Sequence, residues 1–270
     1  MNKKKSLLRS AAAAPHTVWA ALFIVVPLLI VVYFAFTDEE GAFSFDNILS
    51  LSEYGDIFLL SIELALIATF ICLLIGYPLA YIIARSDARR QKLYVMLLML
   101  PMWTNLLIRT YSMMAILDDG GFLNTLLNTE MHIIGTKGAV IFGMVYDFLP
   151  YMVLPIYTCI SKIDKHMWEA ASDLGCTSVQ VLTRVIVPLS MSGVISGVTM
   201  VLVPSISTFY ISQKLGGGVF DLLGDTIERQ FQNAVTYHTG AAISLVMMIL
   251  ILLSLAVMNK FSDSGEDIIV

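Results

Sequence analysis

Three side chains inside long apolar runs could do charge chemistry: Glu63, Arg109 and Asp147. An ionisable group at membrane depth is costly and usually faces protein interior or an aqueous cavity. Asp147 is flanked by Tyr146, Phe148 and Tyr151. Trp103, Asn105 and Tyr111 sit beside Pro101, and Ser207, Phe209 and Tyr210 follow Pro204. Aromatic faces attract ammonium groups by about 0.5–2 kcal/mol each. Proline breaks in a span free carbonyls that can line a pathway. Glu63, Trp103, Asn105, Tyr111, Asp147, Tyr151, Ser207, Phe209 and Tyr210 are therefore candidate groups on a path for a small cation. Each also has a structural alternative. Glu63 could snorkel or cap a helix, and Asp147 could pair with Arg109. The aromatic and hydroxyl residues could serve as helix contacts or an interfacial belt.

Other chemistries find little support. An intramembrane enzyme needs paired catalytic groups at depth. His16, His132, His166 and His238 all fall at or outside the edges of the apolar runs. Cys72, Cys159 and Cys176 make an odd set with no metal-ligand spacing. The chain has no G-x-x-x-x-G-K-[ST] phosphate loop, and Gly216-Gly217-Gly218 lacks the Lys-Ser/Thr. No catalytic residue, metal or bound cofactor is expected in this chain.

These groups must be positioned by membrane helices. Of the 270 residues, 57% are hydrophobic and 14% charged, against about 25% charged in soluble domains. Mean hydropathy is +0.80. A spanning helix needs about 20 apolar residues. Such runs lie near Thr17–Phe36, Ile57–Ala84, Leu93–Leu117, Lys137–Ile160, Met191–Ile211 and Thr239–Met258, predicting an all-α polytopic protein with six spans. The first run is too long for a signal-peptide core and ends in Thr37-Asp38-Glu39-Glu40, so it is expected to be a retained anchor. Twelve of the sixteen Lys/Arg fall at the N-terminus, after spans two and four, and in the tail. The first loop on the other side carries Asp38, Glu39, Glu40, Asp46, Glu53 and Asp56 and no basic residue. The positive-inside rule places both termini in the cytoplasm of a plasma-membrane protein.

The Ser161–Pro188 loop, on the cytoplasmic side, is long for a connector. Met167–Leu174 reads as a helix, Gly175 as its left-handed terminator, and Ser178 as the N-cap of a second segment limited by Pro188. On composition alone it could be an interfacial amphipathic helix. However, Glu169-Ala170-Ala171, three residues, Gly175, nine residues, then Val185-Ile186-Val187-Pro188 resembles the EAA motif of ABC importer permeases. Val185 and Val187 stand where Ile and Leu are usual. The resemblance implies a type I importer fold with a five-helix core over 57–258 and a coupling loop at 161–190. Residues 17–56 would add an N-terminal span and outer loop, with tails at 1–16 and 259–270. It also implies that Glu169, Ala170, Ala171, Gly175 and Pro188 dock on an ATPase. The ATPase pair would bind ATP and Mg, beside a homologous second permease and an extracytoplasmic binding protein.

Within that family the chain is similar to the B-type membrane subunit of spermidine/putrescine importers, through Gly76–Tyr81, Leu100–Arg109, Val145–Asp164 and Gly224–Gln232. This implies a polyamine cargo. A permease for another small solute and an autonomous channel or secondary carrier are the alternatives; the latter gives no reason for the EAA loop. Thr226–Ala234 reads as a short amphipathic helix on the outer side.

Overall fold

The computed structural model describes residues 14–38, 40–233 and 235–266. In chain order the main elements are α1 (Ala14–Ala35), α2 (Gly55–Arg85), α3 (Ala88–Trp103), α4 (Leu106–Leu117), α5 (Lys137–Ile160), α6 (Lys165–Asp173), α7 (Ser178–Leu189), α8 (Met191–Ser207), α9 (Tyr210–Leu215), α10 (Leu223–Gln232) and α11 (Tyr237–Glu266). Among the described residues the only extended pairing is a lone bridge between Thr37 and Phe43. Among the described residues four helices are long and apolar enough to cross a membrane, or up to six if each of two bent pairs is one span. This matches the all-α polytopic expectation.

The chain divides into two compact units. One holds the residues up to Gly55 together with Thr226–Ile249; the other holds Asp56–Asp225 and the residues from Leu250 on. In the first, the end of α1 packs on α11, burying Ala35, Ala241, Ala242 and Leu245. Phe34 lies edge-on to Tyr237 at 4.9 Å. The rest of α1 presents Leu22, Phe23 and Leu29 outward, as a lipid-facing helix does.

In the second unit α5 is the hub. Lipid tails are as apolar as leucine, so helices here associate through close packing, and small residues let backbones approach. Gly193 and Gly197, one turn apart on α8, both face α5. A Cβ on Gly193 would lie 2.7 Å from Cys159 Cβ and 2.9 Å from the Pro155 carbonyl; one on Gly197 would lie 2.9 Å from the Met152 carbonyl. From α2, a Cβ on Gly76 would lie 3.0 Å from the Met152 side-chain Cγ. At the other end of α5, a Cβ on Gly143 would overlap the side chains of Leu215 and Ile211 of α9.

Prolines account for the irregular turns. A proline lacks its N–H and crowds the carbonyl four residues back. Each of the two π-helical turns, Ala21–Val25 and Leu182–Ile186, sits just before one, Pro27 and Pro188. The expected third span is not straight: its axis turns by 92° across Thr104 and Asn105. There Thr104 Oγ1 donates to the Pro101 carbonyl at 2.7 Å, and Asn105 caps α4 by accepting from Leu107 N–H at 2.8 Å. The fifth span also departs from expectation. Its helix passes through Pro204 and stops at Ser207, and Tyr210 opens a separate helix. The short helix expected over Thr226–Ala234 starts instead at Leu223, and Ala234 lies outside the described residues.

The glycine seam gives a direct prediction. Gly197→Leu should destabilise the protein by about 1–3 kcal/mol or more, because the obstacle is backbone. The check is thermal unfolding in detergent. Gly138→Leu is the control, since a Cβ there meets nothing nearer than Thr136 Oγ1 at 3.6 Å. Equal losses in the two variants would contradict the seam.

Candidate functional site

The motif loop is two helices joined by a tight turn. α6 begins after Asp164, whose Oδ1 accepts from His166 N–H at 3.0 Å. Gly175 takes φ +84°, and Cys176 N–H reaches back to the Ala171 carbonyl at 3.1 Å, closing the helix as a Schellman turn does. The N-cap of α7 is Thr177 and not Ser178. Its hydroxyl accepts from Gln180 N–H at 3.4 Å, while Gln180 Oε1 accepts from Thr177 N–H at 2.8 Å. This reciprocal capping box satisfies two otherwise orphaned donors. A hydroxyl at either position would fit the composition; the glutamine three residues on selects Thr177.

The motif residues split by face. Ala171 is buried against a core that includes Ile83, Ile160, Val181 and Ile186. Glu169 points outward with its side chain 69% exposed and lies 3.3 Å from His166 Nδ1. Elsewhere on the loop Met167, Leu174 and Val179 are exposed apolar side chains. Pro188 sits in the last turn of α7, which ends at Leu189, and Ser190 follows at a 70° bend into α8. Tyr77 on α2 shares a hydrogen bond of 2.8 Å with Ser190 at that bend.

Three further residues of this site do not stand out in the sequence. Trp168 stacks on Tyr81 of α2 at 5.7 Å and 12°. The Arg85 guanidinium lies 5.0 Å from the Trp168 ring and 5.6 Å from the Tyr81 ring. The stack ties α6 to the end of α2. A cavity of about 400 Å³ opens beside it, lined by Arg85, Gln91, Ser161, Trp168 and Glu169 among others. The available signal was the Tyr81–Arg85 spacing of four, which places both on one helix face.

The proposed path residues are less uniform. Asp147 is buried on α5, its side chain 1% exposed, with one oxygen 3.2 Å from Arg109 Nη1 on α4, which is 13% exposed. The pair is in ionic contact, yet neither Nη1 nor the two carboxylate oxygens has an aligned hydrogen bond. An incoming amine would have to compete with this guanidinium. Glu63 lies on the surface, 3.8 Å from Lys137 Nζ, both half exposed. Asn105 is a helix cap, and Trp103 is 75% exposed. Tyr151 lines a groove of about 550 Å³ between α5 and α8, together with Thr158, Lys162, Ser192 and Ser196. Ser207 Oγ returns its hydrogen bond to the Val203 carbonyl at 3.2 Å. The carbonyls of Ser207 and Thr208, at the break, are closely faced by Gly224, where a Cβ would collide with them. Phe209 is 43% exposed. Tyr111 and Tyr210 come together, edge to face at 6.3 Å, joining the two broken spans.

Comparison with known proteins agrees with this geometry. The family described as binding-protein-dependent transport system inner membrane component matches residues 76–266. The spermidine/putrescine transport system permease protein PotB of Escherichia coli (strain K12) is 38% identical over 253 residues, covering 88% of this chain and 92% of the relative. PotB of Haemophilus influenzae is 36% identical over 249 residues, covering 87% of each. A solved bacterial ABC transporter involved in import of the acidic polysaccharide alginate has the same fold, with TM-score 0.76 at 17% identity, covering 97% of this chain and 96% of that one.

The ion pair is testable by itself. Arg109→Met strands a buried carboxylate and should cost about 3–5 kcal/mol, whereas replacing both partners by apolar residues of similar volume is often neutral. Arg109→Met with Asp147→Leu should therefore recover most of the thermal stability lost in the single variant. A double variant no better than the single would show that the pair is not the reason for the loss.

Proposed function

The chain belongs to the binding-protein-dependent transport system inner membrane component family, and on that premise we propose that it is a permease subunit of an ATP-driven polyamine importer. The observation that carries the substrate class is 38% identity to a spermidine/putrescine permease over nearly the full length of both chains. The protein is a multi-pass inner-membrane transport subunit. Both termini are placed in the cytoplasm by the distribution of Lys and Arg, which puts α6 and α7 on the side where ATP is.

The coupling role is read from the loop's two faces. Ala171 anchors α6 in the core, while Glu169 is exposed and Met167, Leu174 and Val179 are exposed apolar side chains elsewhere on the same loop, surface a soluble partner could cover. Two ATPase subunits would bind ATP and Mg and press on this surface. A homologous second permease would complete the pathway, and an extracytoplasmic binding protein would deliver the cargo. ATP binding would then favour one of two states that differ in affinity for the polyamine; a ligand held equally in both would not be moved. The groove containing Tyr151, and the residues around the two broken spans, are the parts of this chain best placed to line the route.

The test is the importer reconstituted in lipid with its binding protein. Spermidine or putrescine should stimulate ATP hydrolysis and accumulate inside. Stimulation by another solute and by neither polyamine would overturn the substrate class. Glu169→Lys should reduce uptake to background while the chain still inserts and assembles with its partner permease. Normal uptake in that variant would overturn the docking role.

A further inference from the structure

Lys214 is a cation whose location the import reading does not explain. It lies on α9, one turn after Tyr210, and its ammonium sits 5.8 Å from the Tyr210 ring and 5.6 Å from the Tyr111 ring on α4. The two rings meet at 79°, so one charge can face both. Lys214 takes part in none of the ion pairs that join Arg109, His132, Lys137 and His166 to carboxylates. Its ammonium lies against both tyrosine side chains, near the Tyr111 hydroxyl as well as the rings.

The position is where a transport site would be built. α4 begins after the 92° break in the third span, and α9 begins after the break at Thr208 and Phe209. Discontinuous helices of this kind frame substrate sites in many transporters. Tyr111 is 52% exposed, so the pair is not sealed inside the bundle. Lysine carries its ammonium on a flexible four-carbon stem. That is the same aminobutyl group that terminates putrescine and one end of spermidine. The chain thus holds a tethered copy of a polyamine end against two tyrosine side chains.

We propose that Tyr111 and Tyr210 form an ammonium-binding site for a polyamine amine, and that Lys214 is its resident occupant, displaced when the polyamine arrives. This rests on the polyamine reading. A tethered occupant fills the site at high local concentration, so only a ligand with further contacts, such as a second amine held elsewhere on the path, displaces it. A monoamine does not. The device would give selectivity for multivalent amines.

The experiment uses the complete importer, purified and reconstituted. Equilibrium binding of radiolabelled spermidine and of butylamine is measured without the binding protein, and spermidine uptake is measured with it. Lys214→Met should tighten spermidine binding about three- to tenfold and make butylamine binding detectable, by removing a competitor for aromatic faces. Lys214→Arg should behave as the unaltered chain. Adding Tyr111→Leu or Tyr210→Leu to Lys214→Met should cancel the gain, while Phe at either position should keep it. Unchanged or weaker spermidine binding in Lys214→Met, in an importer that still takes up spermidine, would overturn the site and leave the polyamine reading standing. Failure of the unaltered importer to take up any polyamine would overturn both.

Discussion

Two helices can bring their backbones into contact only where a side chain is missing, and the α5–α8 pair depends on that at Gly193 and Gly197. Their approach to the carbonyls of Met152 and Pro155 leaves no room for a Cβ. In a bilayer the hydrophobic effect does not hold helices together, so close packing of this kind carries the association. The consequence reaches beyond the pair itself. α5 ends at Ile160 and α8 begins at Met191, so the whole motif loop is strung between the ends of one tightly packed hairpin. Ala171, Val181 and Ile186 extend the same core into the loop. A push on α6 is therefore delivered to a pair of helices that cannot slide freely past each other.

The charged and aromatic groups fit around this hairpin. At one end, Trp168, Tyr81 and Arg85 stack α6 onto α2, adding a third helix to the body that would feel an ATPase. Deeper in, Arg109 and Asp147 pin the bent third span to α5. Neither charge has aligned hydrogen bonds from its partner, which leaves the pair dependent on mutual attraction in a region of low dielectric. At the far end, α9 is packed on α5 at Gly143 and meets α4 through Tyr111 and Tyr210. The groups around the two broken spans and the motif loop thus both hang from α5.

Much of this was legible in the sequence because the bilayer imposes simple rules. Apolar runs of the right length located the helices, and Lys137–Ile160 coincides with its predicted span residue for residue. The motif spacing located the loop, and Gly175 adopts the left-handed conformation expected of it. Bends were harder. Pro101 and Pro204 were both read as breaks, yet the kinks fall at Thr104–Asn105 and at Thr208–Phe209, because a proline loosens a helix while caps and packing decide where it ends. The Tyr81–Arg85–Trp168 stack was hidden because it joins residues more than eighty positions apart, and nothing in local spacing brings Trp168 to α2. Asp147 shows the limit in another way. Its type and depth marked it as special and offered Arg109 as a partner or an amine as a ligand; the fold selects the pairing with Arg109.

The rigid hairpin is the centre of this account, and a distance can test it. Leu174, 86% exposed on the motif loop, and Phe142, 52% exposed on α5, would each carry a spin label on a chain freed of Cys72, Cys159 and Cys176. The label-to-label distance would be measured by pulsed electron resonance in the assembled importer in lipid, at rest and with ATP hydrolysis arrested after binding. One narrow distance, the same in both states, is expected if loop and hairpin move as a body. A distance that shifts or broadens when ATP is trapped would show that the loop moves independently of α5, and the account of coupling through the glycine seam would be wrong.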